Sequence, residues 1–93
     1  MREVKIDGIY RYYKGGYYLV DDISRFSNSD KEYVVFREIR NTNIKALSPY
    51  GQYEAESYEY FTREVDREKY PYIRQKYRYE LVEDLKVEDL LKY

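Results

Sequence analysis

Cysteine and histidine are both absent from these 93 residues, so any chemistry must come from tyrosine, carboxylate, lysine, arginine and hydroxyl groups. Without thiol or imidazole there is no disulfide, no thiolate nucleophile, and no side chain whose ordinary pKa suits proton transfer near neutrality. The acid pairs Asp21-Asp22 and Glu83-Asp84 do not fill the gap, because neighbouring residues of a strand point to opposite faces. Neither pair sits in an acid–base motif or an oxygen-ligand metal loop. Lys14-Gly15-Gly16 is too short for a phosphate-binding loop. The expectation is a protein that is not an enzyme, with no catalytic residue, no metal and no cofactor.

Binding is a better use for what remains. The stretch GIYRYYKGGYYLV, residues 8–20, gathers five tyrosines around a Lys-Gly-Gly turn. Strand alternation puts Tyr10, Tyr12 and Tyr18 on one face, where they can fill a core, and leaves Tyr13, Lys14 and Tyr17 as a candidate aromatic groove. Fifteen tyrosines exceed what one small core can hold, so some are exposed, and clustered exposed aromatics mark an interface. Arg25-Phe26-Ser27-Asn28-Ser29 is a second candidate: Arg25 and Ser27 could hold an anion, or the serines could only bond their own backbone. A third is the run Tyr70 to Tyr79, in which Tyr72, Arg74, Lys76 and Arg78 interleave aromatic and basic groups as single-strand nucleic-acid binders do. Glu64, Asp66, Glu68 and Glu80 dilute that patch, and Arg or Lys on an edge strand also discourages aggregation.

Charge balance argues against a general attraction to phosphates. Seventeen basic residues face eighteen acidic ones, and the pI is near 5.5. The N-terminal MREVKIDG lacks a signal-peptide core and no apolar run approaches a membrane span, so a cytoplasmic protein without membrane contact is expected. Mean hydropathy is low at -0.95, yet aromatics make up 19% of residues and recur in alternating segments, which favours order.

These side chains need elements to hold them. The alternation predicts strands at 9–13, 17–26, 32–40, 44–47, 53–56, 62–66 and 77–82, with a bulge or bend at Asp21-Asp22. On the second strand, Tyr18, Val20, Ser24 and Phe26 are expected on one face. Ser57 can cap one helical turn through Phe61, and Asp84 can start a short C-terminal helix carrying Leu85, Leu90 and Leu91. One domain, mainly β, follows: a small SH3-like β-barrel of five to six short strands.

The same residues resemble a family. Gly8-Ile9-Tyr10-Arg11-Tyr12-Tyr13-Lys14-Gly15-Gly16, Tyr18-x-Val20, Ser24-Arg25-Phe26-Ser27 and Glu32-x-Val34-Val35-Phe36-Arg37 are similar to the small bacterial family catalogued as domain of unknown function 1653. Its members read G-x-Y-x-H-Y-K-G, Y-x-V, A-R-H-S-E-T, E-x-x-V-V-Y-R, then R-P-L-E-M-F and a terminal P-R-F. The resemblance spans about 8–82, with 83–93 as a tail, and implies an SH3-like barrel without implying an activity. Tyr12 and Phe26 stand where the family carries histidines, and Glu56 where it carries the arginine of R-P. The expected function is a binding module that recognises a protein segment or small ligand through exposed tyrosines. The alternatives are a nucleic-acid accessory protein, or an oligomeric role in which an edge strand or the tail pairs two copies.

Overall fold

A computed structural model describes residues 3–25, 30–39 and 50–86. The chain is mainly β. Strands β1 (Ile9–Tyr12), β2 (Tyr17–Arg25), β3 (Glu32–Ile39), β4 (Glu54–Ser57) and β5 (Tyr79–Leu81) form one antiparallel sheet in the order β4-β3-β2-β1-β5. A single helical turn, α1 (Tyr58–Phe61), follows β4. Ser57 caps it as expected, its hydroxyl accepting from the Tyr60 N–H at 3.2 Å. Among the described residues no helix is long and apolar enough to cross a membrane.

The β1–β2 hairpin turns through its glycines. Gly15 N–H donates to the Tyr12 carbonyl at 2.9 Å and Tyr12 N–H to the Gly16 carbonyl at 3.0 Å. Gly15 and Gly16 have φ of 108° and 90°, a region that side chains disfavour. Tyr13 and Lys14 therefore stand at the corner of the turn, not on a strand face.

The bulge falls where the two aspartates suggested it, between Val20 and Asp22. Its consequence for the faces was not foreseen. Val20 pairs with Phe36, and after the extra residue Ile23 pairs with Val34, so Ile23 takes the inward position and packs on the core. Ser24 is exposed, which corrects its expected place beside Tyr18 and Val20. One inserted residue reverses the alternation of everything beyond it. Phe26 lies outside the described residues.

The core is largely aromatic. Val4, Tyr10, Val20, Val34, Phe36, Phe61 and Tyr79 are buried together, with Tyr12 and Tyr18 packed on them half-buried. Two of the tyrosines anchor the N-terminal segment: the Tyr58 hydroxyl accepts from Val4 N–H at 2.7 Å, and the Tyr10 hydroxyl from Lys5 N–H at 2.9 Å. Phenols thus do aliphatic work inside while their oxygens satisfy backbone at the rim.

The sheet is strongly curled. In a flat sheet, four steps of about 4.8 Å would put β4 and β5 roughly 19 Å apart. Instead, the ring of Tyr79 on β5 meets that of Phe36 on β3, three strands away, at 5.6 Å, and the side chains of Glu56 on β4 and Arg78, just before β5, reach each other at 3.9 Å. Beyond α1 the chain pairs with the segment just before β5: Glu64 pairs with Tyr77, Val65 N–H donates to Lys76 O at 2.9 Å, and Arg78 N–H to Arg63 O at 3.1 Å. The strand expected at 62–66 is realised as this short bridge.

One other expectation changes. The helix proposed from Asp84 does not begin there: 83–84 form a turn and 85–86 are not helical, with Val82 N–H held by the Ile9 carbonyl at 2.8 Å. Its remaining residues, and the strand expected at 44–47, lie outside the described residues.

Gly8 sits where no side chain fits. A Cβ there would meet the Lys5 carbonyl at 2.9 Å, Leu81 at 3.0 Å and Tyr10 at 3.1 Å. Gly8→Ala is expected to cost about 1–3 kcal/mol, as overpacking does. A urea midpoint unchanged from the parent would contradict this.

Candidate functional site

The hairpin corner, the end of α1 and the loop after Val65 enclose a hollow of about 520 Å³. Its aromatic walls are Tyr12, Tyr13, Tyr60 and Tyr70. Four cations, Lys14, Arg63, Lys69 and Arg78, and two carboxylates, Glu64 and Asp66, complete the lining.

Each wall has a local cause. Tyr13 leaves the strand where β1 ends, packing edge-on against Tyr12 at 4.8 Å and Tyr70 at 5.3 Å. Arg63 lies just past the helical turn, its N–H donating to the Tyr60 carbonyl at 3.3 Å and its guanidinium 5.3 Å from the Tyr60 ring. Tyr70 is placed by a loop that bonds itself. Asp66 accepts from Glu68 and Lys69 N–H through its side chain at 3.0 and 3.3 Å, and from Tyr70 N–H through its carbonyl at 2.9 Å. Arg67 donates to the Ile73 and Gln75 carbonyls, and the Gln75 amide ties the loop to the Arg11 carbonyl at 2.8 Å.

The rings carry their own cations. Arg78 lies 3.8 Å from the Tyr60 ring centre, while Lys14 and Lys69 flank Tyr70 at 4.9 and 5.7 Å. The Lys14 ammonium donates to the Tyr70 oxygen, which holds that phenol below its usual range and raises the lysine. Burial first, then its bond to Tyr70, pushes the Tyr13 phenol up. At Arg78, burial would lower the guanidinium, but a hydrogen bond to Tyr60 and the nearby Glu56 carboxylate outweigh it.

Of the residues singled out from the sequence, Tyr13, Lys14 and Arg78 meet here. Tyr17 does not line the hollow; it is half-buried and pairs with Ile39. Arg25 is exposed at the other end of β2, roughly 26 Å away at about 3.3 Å per residue. Ser27 lies outside the described residues. Tyr72, Arg74 and Lys76 are exposed on the loop's outer side, Tyr72 by 93%, apart from Arg78.

Sequence reasoning missed Tyr60, Arg63, Lys69 and Tyr70 as members of one site. They come from a helical turn and a loop, and no periodicity links these to the hairpin. The only signal was Tyr70 and Arg78 bounding most of one basic, aromatic run.

Among the described residues no group of three or more acidic, cysteine or histidine side chains could hold a metal ion. Comparison with family models, curated proteins and solved structures finds no match for this chain.

Proposed function

We propose that this chain is a non-enzymatic binding module, an SH3-like barrel of the kind the hairpin motif suggests, acting in the cytoplasm and taking a protein segment or small ligand in the tyrosine-walled hollow. One observation carries the reading: a hairpin corner, a helical turn and a self-bonded loop converge on one concavity lined with four tyrosines and four cations. Aromatic and arginine side chains are the types enriched where proteins bind partners. A wall already held by its own hydrogen bonds loses little entropy on binding. The barrel reading is supported by the bonds from 63–65 to 76–78, which join the chain beyond β4 to the opposite edge of the sheet.

The test is a ¹⁵N-HSQC titration with small aromatic fragments bearing cationic, neutral or anionic head groups. Shifts are expected at Tyr12 to Lys14, Tyr60 to Glu64 and Asp66 to Tyr70. An absence of shifts at millimolar fragment, or shifts confined elsewhere, would overturn the reading.

A second reading draws on the exposure of Tyr72 beside Arg74 and Lys76: a nucleic-acid accessory surface on the outer loop. It requires oligonucleotide affinity that falls steeply with salt. Titration of a short oligo-dT at two ionic strengths with no binding at either removes it.

A further inference from the structure

We propose that the group held in the hollow is a phosphomonoester; this rests on the hollow being the binding site and names its ligand chemistry. The argument is an inventory of donors and acceptors. Lys14, Lys69, Arg63, Arg78 and four phenols bring many N–H and O–H donors to one concavity, whereas the acceptor-only groups lining it are Glu64 and Asp66. One Asp66 oxygen is already taken by the Glu68 and Lys69 N–H groups, and one of the three Lys14 donors goes to the Tyr70 oxygen.

The cations are incompletely answered from within. Glu59 approaches Arg63 at 3.7 Å and Glu56 approaches Arg78 at 3.9 Å, both longer than a hydrogen bond. Arg78 Nε is buried with no partner. Among the described residues, neither Lys14 nor Lys69 has a carboxylate within ion-pair distance, yet both ammonium groups flank the Tyr70 ring. Two like charges gathered on one ring repel, and an anion between them relieves that repulsion.

An incoming cation finds the reverse. It would face four like charges and tyrosine rings that Lys14, Lys69 and Arg78 already occupy. A phosphomonoester brings about −1.5 to −2 charge and three strong acceptor oxygens, matching two lysines without a carboxylate partner and the remaining donors better than a carboxylate with one charge and two oxygens. The tyrosine walls then flank whatever carries the phosphoryl group.

The experiment uses the full chain and reads hollow amides by HSQC, with affinities from the same titrations. The probes are phenyl phosphate, benzoate and benzyltrimethylammonium. Phenyl phosphate is expected to bind tightest, and the double variant Lys14→Ala/Lys69→Ala, both exposed positions, to weaken it roughly tenfold. Tyr72→Ala, outside the hollow, should leave it unchanged. An O-phosphoserine tripeptide and inorganic phosphate separate the sources: tighter peptide binding supports a phosphorylated segment, and equal or tighter inorganic phosphate supports a free small phosphate. Tighter binding of benzoate or benzyltrimethylammonium at the same amides overturns the phosphomonoester inference and leaves the hollow as a site. So does tighter binding there of unphosphorylated-end oligo-dT, whose phosphates are diesters. Binding of no probe overturns both.

Discussion

Phe61→Ala is expected to lower stability by about 3–5 kcal/mol, the range for emptying a buried aromatic site. A domain of this length has roughly 5–14 kcal/mol in total, so the variant should approach unfolding at physiological temperature. Phe61 is 1% exposed, at the end of the four-residue α1. Its ring stacks on Tyr79 at 4.3 Å with planes 8° apart, and meets Tyr10 at 5.3 Å and Phe36 at 5.4 Å. Those partners lie on β5, β1 and β3, so one side chain from the segment after β4 touches three strands, including the opposite edge of the sheet. Its loss opens a cavity where the segment after β4 packs against β1, β3 and β5. Phe61→Leu, which keeps most of the volume, should cost about 1–2 kcal/mol. Urea midpoints measure both; a loss below about 1 kcal/mol for Phe61→Ala would show that this ring is not what packs the segment after β4 onto the sheet.

The strands around that core were legible because their causes are local. Ile9 to Tyr12, Tyr17 to Val20 and Glu32 to Ile39 alternate, and Gly15-Gly16 supplies the positive φ their hairpin needs. Tyr10, Tyr12 and Tyr18 sit on the core face as alternation required. Even the bulge was visible, since two aspartates interrupt an apolar strand. Its effect on Ile23 and Ser24 was not, because parity beyond a bulge depends on how many residues it absorbs, and only the partner strand fixes that.

The hollow was half legible for the same reason. Tyr13 and Lys14 stood out through their turn, but the turn releases Tyr13 from the face it would share with Tyr17. Its contacts with Tyr70 and Arg78 span more than fifty positions in sequence and depend on the sheet curling. Curl is a property of the whole sheet and of the bonds from 63–65 to 76–78, not of any segment's pattern. Arg25, singled out by its motif, is separated from the hairpin corner by the length of its own strand.

The ion pair across the curled edges should respond unequally to removal of its two partners. Glu56 lies opposite Val34 in the ladder, which puts its carboxylate on the core face with 26% of the side chain exposed. Burial pushes this carboxyl above its ordinary value and Arg78 pulls it down by less, so the net shift is upward. One Glu56 oxygen and the Arg78 Nε are buried without partners. The pair therefore costs desolvation that its long contact does not fully recover. Arg78→Ala leaves the carboxylate desolvated and unanswered and removes the stacking on Tyr60; a loss of about 1–3 kcal/mol is expected at neutral pH. Glu56→Gln removes the desolvated charge while Arg78 keeps its place on Tyr60, and its effect should stay within about 1 kcal/mol. The pH dependence follows from the sign of the shift. Because the folded state keeps the Glu56 proton where the unfolded chain has released it, Glu56 favours folding least at neutral pH. Its contribution declines as pH rises from the ordinary carboxyl value of 4.5 through the raised one. Glu56→Gln should flatten that decline, and Arg78→Ala should carry it to higher pH, since the guanidinium that lowers the carboxyl is gone. Urea midpoints of the parent and both variants at about pH 4 and pH 7 compare the slopes. If Glu56→Gln keeps the parent's pH dependence, the carboxylate is solvated, and the curled edges meet without burying a charge between them.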